Sequence, residues 1–340
     1  MTHPYNSPKE LREPLIYRIR AGLIMMGSAT KAELSQRLGI SFPTISKFIA
    51  QMEKEGEIRF TGNDDSSGGR RAKRYTYDPE YMLGLAVFLE KNETNYSIFN
   101  CIGEVKEQGT QPSVLQQNTQ LLEQLIETLI EKYPSLRSIA VGVPGAVNNG
   151  TIIFIPPYEQ FLNYDLKGEL EARFQIPVVV ENDMNASVLG YASNFEIESE
   201  SLVYLYFGQN GPGSGIMVNG DVVRGSTFFS GEISFVPQYD NRSFSQALHA
   251  ETHHHRIQLA EDSQIDAVAR LIASFAAILN PRAVVFCDDE VDEALLARIA
   301  DQSSAYIPRE HIPMLIKSNW RHDYLTGLQH LALQLMITEG

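Results

Sequence analysis

Apolar and polar positions alternate with a helical period near the start of the chain. From Leu15 to Met26, apolar residues recur every three or four positions, which predicts an amphipathic helix. A second helix is expected after Thr30, because Glu33 lies three residues further on, as in a capping box. Gly39 can adopt the positive φ of a tight turn, and a third helix is expected over residues 41–54.

The third predicted helix has one apolar face and one polar face. Its apolar face consists of Ile45, Phe48, Ile49 and Met52. A glycine turn between two short helices is typical of a helix-turn-helix unit, in which the start of the second helix contacts base edges in the major groove. The side chains that we expect to face the groove are Ser41, Thr44, Ser46 and Lys47.

Two short strands with a polar loop between them follow the third helix. Residues 57–61 and 75–77 have strand-like composition and residues 62–74 are polar, which predicts a hairpin wing. The wing holds a cluster of cations suited to phosphates or to the minor groove: Arg70, Arg71, Lys73 and Arg74. The cluster alone also fits a solvated loop, and the helix pair alone fits an ordinary helical hairpin. Their order together favours a winged helix-turn-helix DNA-binding domain over residues 1–80.

From Tyr81 onward, apolar runs with strand character alternate with amphipathic helices, which is typical of an α/β fold. The expected strands cover residues 83–89, 95–100, 138–143, 178–183, 202–207 and 283–286. The expected helices cover residues 119–132, 165–174, 263–279 and 320–336. The strand over 178–183 places polar residues at its carboxyl end, where α/β proteins bind ligands.

Length and charge support a division of the chain into two parts, a head over residues 1–80 and a body from residue 81 onward. The chain has 340 residues, which corresponds to about two domains. Residues 1–80 carry 13 Lys and Arg against 10 Asp and Glu, whereas the other 260 residues carry 15 against 32. Because an acidic surface repels nucleic acid, we expect contact with DNA to be confined to the head. With 43% hydrophobic and 21% charged residues, the composition excludes a mainly disordered chain and a coiled-coil rod.

Cysteine usage and hydropathy bear on the cellular compartment. Cys101 and Cys287 are far apart and form neither a disulfide framework nor a CxxC metal knuckle, so we expect the reducing cytoplasm. The first residues are polar and do not resemble a signal peptide. No run of about 18 apolar residues occurs, so we expect no association with a membrane.

Glycine-containing motifs occur in a fixed order in the body. They are Val141-Gly-Val-Pro-Gly-Ala-Val, Glu181-Asn-Asp-Met-Asn-Ala, Gly211-Pro-Gly-Ser-Gly-Ile-Met-Val-Asn-Gly, Arg224-Gly-Ser, Gly231-Glu-Ile and Leu279-Asn-Pro. In this order they resemble the ROK family of repressors, open reading frames and kinases. The head, with Gly68-Gly-Arg near the end of the wing, is similar to the repressor branch of that family.

The resemblance implies a fold for the body, namely an actin-like, ribonuclease-H-like pair of α/β lobes around a cleft. Lobe 1 is expected over residues 81–180, with the C-terminal helix 319–340 returning to it. Lobe 2 is expected over residues 181–318.

The resemblance also implies a sugar site in the cleft. In the kinases of the family, the Asp of the Glu-Asn-Asp motif is the base that acts on a sugar hydroxyl, and Asp183 occupies that position. Asn182 and Glu232 match further positions that contact the sugar. An Asp at a strand end also fits the N-cap of a helix, here one beginning near Asn185, and the two roles can coexist.

Two departures from the family pattern argue against kinase activity. The first strand of the body lacks the Asp-x-Gly-x-Thr loop, and Phe88 and Leu89 stand where small residues and free N–H groups would cradle phosphate. Pro212 removes one N–H donor from the second glycine loop. Because phosphoryl transfer depends on such positioning, we expect that the protein is not an enzyme. A sugar kinase carrying a DNA-binding head is the alternative.

We also expect that the zinc site of the family is missing. Phe235 stands at the position of its His, and residues 236–248 contain none of its three Cys. His249 and His253 have the i, i+4 spacing of helical metal ligands, and two more histidines follow, His254 and His255. A histidine-rich surface helix is the favoured interpretation of this cluster, so we expect no metal and no cofactor.

The resemblance, together with the charge pattern and the head, implies a cytoplasmic homodimer that regulates transcription. We expect it to bind double-stranded operator DNA and to repress genes of carbohydrate metabolism. A sugar or sugar phosphate in the cleft is the expected effector, and closure of the lobes on that ligand would change the relative positions of the two heads. A dimeric DNA-binding scaffold that needs no ligand is a further alternative.

Overall fold

The computed structural model describes residues 13–64, 71–156, 158–195, 197, 200–208, 211–249, 257 and 259–339. The helices are α1 (Glu13–Met26), α2 (Lys31–Leu38), α3 (Phe42–Glu55), α4 (Thr119–Lys132), α5 (Leu166–Phe174), α6 (Asp183–Asn194), α7 (Phe244–Ala247), α8 (Asp262–Ile278), α9 (Glu293–Ser303) and α10 (Trp320–Glu339). The strands are β1 (Ala29–Thr30), β2 (Ile58–Asn63), β3 (Lys73–Tyr77), β4 (Leu83–Leu89), β5 (Glu93–Asn100), β6 (Val105–Pro112), β7 (Leu136–Val143), β8 (Ala146–Asn148), β9 (Thr151–Phe154), β10 (Val178–Asn182), β11 (Leu202–Tyr206), β12 (Gly213–Val218), β13 (Asp221–Val222), β14 (Ala283–Cys287) and β15 (Met314–Ser318).

Three helices and a small antiparallel sheet form the head. Thr30 begins α2 with the expected capping box, since Glu33 N donates to Thr30 Oγ1 at 3.2 Å and Thr30 N donates to Glu33 Oε2 at 2.7 Å. Gly39 follows α2 with a φ of 65°, a left-handed value that favours glycine. The sheet has the order β1-β3-β2, and β2 and β3 are the two strands of the predicted hairpin. The capping box, the glycine turn and the hairpin are therefore confirmed.

The first sheet of the body has the strand order β10-β7-β4-β5-β6. Its strands β10, β7 and β4 are parallel, and β5 and β6 continue the sheet antiparallel. Helices α4 and α5 bury one face of the sheet, and α10 packs against the other face. In the register of β10 and β7, Asn182 lies opposite Val143, so the carboxyl ends of both strands meet at one edge.

The second sheet of the body has the order β13-β12-β11-β14-β15. Helices α8 and α9 cover its outer face, and α6 packs against its inner face. Helices α6 and α10 cross each other between the two sheets at two glycines. A Cβ on Gly190 would lie 1.8 Å from Asp323 O, and a Cβ on Gly327 would lie 1.8 Å from Ala186 O. The two sheets are therefore joined through a close helix crossing.

The predicted body elements are confirmed with small changes of their limits, whereas several short ones were missed. The closing helix α10 extends to Glu339, and the helix expected over 165–174 begins at Leu166 with Asp165 as its N-cap. The hairpin β8–β9, the helix α9 and the edge strands β13 and β15 had no prediction. The strands of the two sheets come from residues 83–182 and 202–318. The predicted domain limits at residues 80, 180 and 318 stay a prediction.

Candidate functional site

The turn from β10 into α6 is built around the side chain of Asn182. Its Oδ1 accepts from Met184 N at 2.9 Å and Asn185 N at 3.0 Å, so it is the N-cap of α6. Its Nδ2 donates to Gly145 O at 3.1 Å and to Asp183 Oδ1 at 2.9 Å. These four hydrogen bonds use the full capacity of the amide. The alternative that Asp183 caps a helix beginning near Asn185 is therefore wrong, because α6 begins at Asp183 and Asn182 caps it.

Asp183 is the first residue of α6 and lines the cleft. Its Oδ1 accepts from Met184 N at 2.9 Å, and the hydrogen bonds within the described residues leave its Oδ2 open to a ligand. Burial raises the pKa of this carboxyl to about 7, against the hydrogen bond from Met184, and the nearby charges of Glu232 and Glu90 raise it further. A carboxyl with a pKa near neutrality can accept a hydroxyl proton or a hydroxyl hydrogen bond.

Glu232 approaches the same cleft from the second sheet. It follows Gly231, whose φ is 92° and whose Cα lies so close to β12 that an added Cβ would be 2.1 Å from Ser214 O. Glu232 is half-buried, and this burial raises the pKa of its carboxyl. The fold therefore brings all three predicted sugar residues to one cleft, where Asp183 and Glu232 can face a ligand and Asn182 holds the turn.

The cleft has a volume of about 630 Å³, within the usual range of small-molecule sites. Part of its wall is apolar: Pro144, Phe154, Pro156, Tyr206, Phe228 and Phe235. The polar wall includes Lys91, Asn182, Asp183, Ser214, Arg224 and Glu232. Apolar walls with a few converging polar groups suit a polar organic molecule of modest size, such as a sugar.

An ion pair that the sequence analysis missed links the two sheets beside the cleft. Glu181 is buried at the end of β10, and its Oε2 accepts from Arg224 Nε at 3.1 Å and from Arg224 Nη2. The other oxygen, Oε1, accepts from Asn182 N and from Asn185 Nδ2, both at 3.0 Å. Both residues lie in motifs that the sequence singled out, but neither motif indicates that they pair.

The position at which the resemblance implies a zinc ligand carries an apolar ring. Phe235 is 62% exposed, and its ring centroid lies 5.3 Å from that of Phe229. Among the described residues, no group of three or more His, Cys, Asp or Glu is arranged to hold a metal. His249 follows the end of α7 with a φ of 57°, so it is not in a helix that would support i, i+4 ligation. Its suggested partners His253, His254 and His255 lie outside the described residues.

Two segments that the resemblance compares with the phosphate loops of kinases carry bulky residues or a residue without an N–H. Phe88 and Leu89 lie buried in β4, between β5 and β7. At the end of β11, Phe207 N donates to both carboxylate oxygens of Glu290, at 3.0 and 3.1 Å. Pro212, which lacks an N–H, lines the cleft directly before β12.

The predicted DNA-reading residues lie at the start of α3. Ser41 is its N-cap, with Oγ accepting from Thr44 N at 3.4 Å and lying 2.7 Å from Thr44 Oγ1. Ser41 and Lys47 are exposed, and Thr44 and Ser46 are half-buried. The predicted stripe of Ile45, Phe48, Ile49 and Met52 is buried on the opposite face, which confirms the amphipathic helix.

The cations of the wing have different environments. Arg70 lies outside the described residues, Arg71 is exposed, and Lys73 is exposed with its Nζ 5.4 Å from the centroid of Phe60. Arg74 differs from the prediction, because its guanidinium is bonded inside the head. It donates to Asp64 at 2.7 and 3.0 Å, to Glu33 Oε1 at 2.9 Å and to Ser28 O at 3.1 Å.

Arg74 therefore joins β3 to the start of α2 and to the wing. With a further contact to Ser28 Oγ at 3.5 Å, its five N–H groups all have acceptors. We correct the prediction on this point, since the Arg74 guanidinium has no donor left for a phosphate.

Comparison with known proteins shows a family match within the body. Residues 91–244 match the model of the ROK family. The xylose repressor of Caldicellulosiruptor bescii is 27% identical over 215 residues, 60% of this chain and 53% of the relative. The DNA-binding transcriptional dual regulator NagC of Escherichia coli is 24% identical over 240 residues, 67% of this chain and 57% of the relative. The chain thus spans about half the length of the curated relatives that it matches.

Solved structures show the fold. A ROK family transcriptional regulator, a homologue of the Escherichia coli Mlc protein, superposes with a TM-score of 0.73 and 17% identity, covering 97% of this chain and all of that chain. The ROK hexokinase of Thermus thermophilus superposes with a TM-score of 0.59 and 18% identity, covering 74% of this chain and 97% of the other. The body therefore has the two-lobed, actin-like α/β fold that the resemblance implied.

Proposed function

We propose that this chain is a member of the ROK family and a DNA-binding transcriptional repressor that controls genes of carbohydrate metabolism. The observation that carries the proposal is the presence, in one chain, of a head with helix-turn-helix order and a body with a ligand cleft. Relatives named xylose repressor and N-acetylglucosamine repressor support it.

In this proposal α3 enters the major groove of operator DNA. Ser41, Thr44, Ser46 and Lys47 face the groove. The wing cation Arg70 and the exposed cations Arg71 and Lys73 contact the backbone or the minor groove. A homodimer would present two heads to a pseudo-palindromic site. The acidic body, whose negative charge repels DNA, limits the contact to the head.

A sugar or sugar phosphate is the proposed effector of the cleft. Asp183 Oδ2 and the carboxylate of Glu232 accept hydroxyl hydrogen bonds, and Asn182 holds the turn that positions Asp183. The apolar faces of a sugar pack against the aromatic wall. Because binding free energies are linked, a ligand that weakens DNA binding must bind better to the free protein than to the complex.

We further propose that the protein performs no phosphoryl transfer. The support is the buried Phe88 and Leu89 in β4, the Glu290 carboxylate on the amide of Phe207, and Pro212 in the glycine loop. The alternative, a sugar kinase with a DNA-binding head, is favoured by one observation: Asp183 has a pKa of about 7, which suits a general base.

The remaining proposals concern the domain limits and the cellular compartment. We propose a winged helix-turn-helix head over residues 1–80, lobe 1 over 81–180 with the helix 319–340, and lobe 2 over 181–318. The cytoplasm is the proposed compartment, where operator DNA is accessible. Within the part of the chain that the structure describes, no helix is both long and apolar enough to cross a membrane.

Binding of the purified full chain to the DNA upstream of its own gene tests the proposal. We expect a protected palindrome in footprinting and a binding constant that falls steeply with salt. Arg71→Ala is expected to weaken binding several-fold and to reduce the salt slope by about 1 per half-site. Arg309→Ala removes an exposed arginine from the body and is expected to leave both unchanged. Absence of protection at low salt would contradict the proposal.

The same complex then serves to test the effector. Xylose, N-acetylglucosamine and their phosphates are added to the protein–DNA complex, and their binding is measured by calorimetry on wild-type protein and Asp183→Asn. A sugar that releases DNA from the wild type but not from Asp183→Asn supports the effector site. If none of the sugars changes DNA binding, the result supports the ligand-independent scaffold. ATP-dependent turnover that is lost in Asp183→Asn supports the kinase.

A further inference from the structure

A large apolar ring is exposed at the start of α3. Phe42 is the first residue of the helix, directly after the Ser41 cap, and its side chain is 52% exposed. Hydrogen bonds between Ser41 and Thr44 fix the backbone of this first turn, so the ring is presented from a rigid position. The buried stripe of α3 already packs the head without it.

Phe42 shares its helix face with residues that are proposed to read DNA. Ser46 lies four positions further on and is therefore its neighbour on the helix surface. Pro43 and Lys47, both exposed, complete this face. The wing adds the exposed cations Arg71 and Lys73 to the same domain. The exposed Lys47 on this face carries a positive charge, which complements a polyanion better than an apolar protein surface.

The major groove of DNA offers one apolar group to such a ring. Each thymine carries a 5-methyl group there, and apolar side chains contact it, whereas the other base edges present donors and acceptors. A single ring at the end of a helix matches a single methyl group. A stable protein interface would instead need roughly 800 Å² of matched surface on each partner.

We propose that Phe42 determines specificity by contacting the 5-methyl group of a thymine in each half-site of the bound DNA. This inference rests on the proposed function, because it needs α3 to lie in the major groove. It adds a residue to the predicted contacts and states which base that residue selects. Phe42 contributes through apolar burial, so its effect on binding is independent of salt, unlike that of Arg71.

The test removes the methyl group from the DNA and the ring from the protein. Duplexes that the full-length wild type selects from a randomised library are resynthesised with single thymine-to-uracil replacements, which delete only the 5-methyl group. For the wild type, we expect about fourfold weaker binding at one thymine position per half-site, the effect of one lost methyl contact. For Phe42→Ala, we expect no change at that position, and an unaltered salt slope. Phe42→Leu keeps an apolar side chain and is expected to retain part of the discrimination.

The controls separate this inference from the proposed function. Arg71→Ala is expected to bind all duplexes more weakly but to keep the full uracil effect. Circular dichroism and thermal unfolding check that Phe42→Ala is folded. If the wild type selects no sequence and binds no duplex, the DNA-binding function itself is refuted. If it selects sequences but the uracil replacements act equally on wild type and Phe42→Ala, only the role of Phe42 is refuted.

Discussion

Two neighbouring polar side chains at the end of β10 have separate tasks. Asn182 uses both donors and both acceptor positions on protein groups, so it shapes the turn. Asp183 keeps one carboxylate oxygen open toward the cleft. The sequence could place both residues at a strand end, but the division of roles depends on Gly145, which lies 37 positions earlier in the chain.

The raised pKa of Asp183 leads to a prediction about stability. The folded-state pKa is about 7, and an Asp in the unfolded chain titrates near its ordinary value of about 3.9. Between these values the folded state binds a proton that the unfolded state lacks, so this group makes stability fall as pH rises from about 4 to about 7. Full conversion of the shift gives about 4 kcal/mol, and access of solvent through the cleft reduces the expected effect to about 1–2 kcal/mol.

Asp183→Asn keeps an oxygen acceptor for Met184 N and cannot ionise. We therefore expect the variant to exceed the wild type in free energy of unfolding by about 1–2 kcal/mol at pH 8, and to match it near pH 4. Urea unfolding of both proteins across this pH range measures the difference in their free energies of unfolding. Glu232 and Glu90 titrate in both proteins, so their contributions largely cancel in that difference. A difference that does not change with pH would show that Asp183 is ionised in the folded protein.

At the scale of elements, hydrogen bonds from one arginine connect a wing strand to the start of helix α2. Arg74 on β3 contacts Glu33 at the start of α2, Asp64 at the end of the first wing strand, and Ser28. The hydrogen bonds that the Arg74 guanidinium donates lower the pKa of Asp64, and they add to the lowering of the Glu33 pKa by Thr30 N. Strand β3 is thereby connected to the start of α2.

Removing this side chain is predicted to loosen the wing. Both ion pairs are partly exposed, so we expect Arg74→Ala to cost about 1 kcal/mol, with the loss confined to the head. Hydrogen exchange followed by mass spectrometry on the full chain should show faster exchange of amides in β2 and β3. The matched variant Arg71→Ala removes an exposed arginine and should leave exchange unchanged. Equal protection in the two variants would contradict the structural role of Arg74.

The sequence predicted those elements whose signals are local. The capping box of Thr30 and Glu33 marks the start of α2, and the stripe in α3 marks its buried face. Strand β15 was missed, because its five residues lie at a sheet edge with Met314 half exposed. Helix α9 was missed although it is 11 residues long. The pair of Glu181 and Arg224 was missed because its members are 43 positions apart, and only the fold brings them together.

At the scale of the whole molecule, one layer of helices holds the parts together. Helix α10 packs on the first sheet, α6 packs on the second, and α1 of the head contacts α10. A single apolar cluster runs from the head, including Ile45 and Tyr77, into this layer, including Met184 and Leu328. The spacing of α6 and α10 therefore affects both sheets, the cleft between them and the contact of the head with α10.

That spacing depends on the absence of a side chain at Gly327. An added methyl group would overlap the carbonyl oxygen of Ala186 on α6, and neither helix backbone can move without displacing a sheet. We expect Gly327→Ala to lower the free energy of unfolding by about 2–3 kcal/mol, the usual cost of overpacking a core. Gly22→Ala is the matched control, because its methyl group would meet only the end of the Leu38 side chain, at 3.2 Å. Alanine favours a helix by up to about 1 kcal/mol over glycine, so this control should be neutral or stabilising. Urea unfolding of the two variants gives the comparison, and a Gly327→Ala protein as stable as the wild type would show that the crossing can widen without cost.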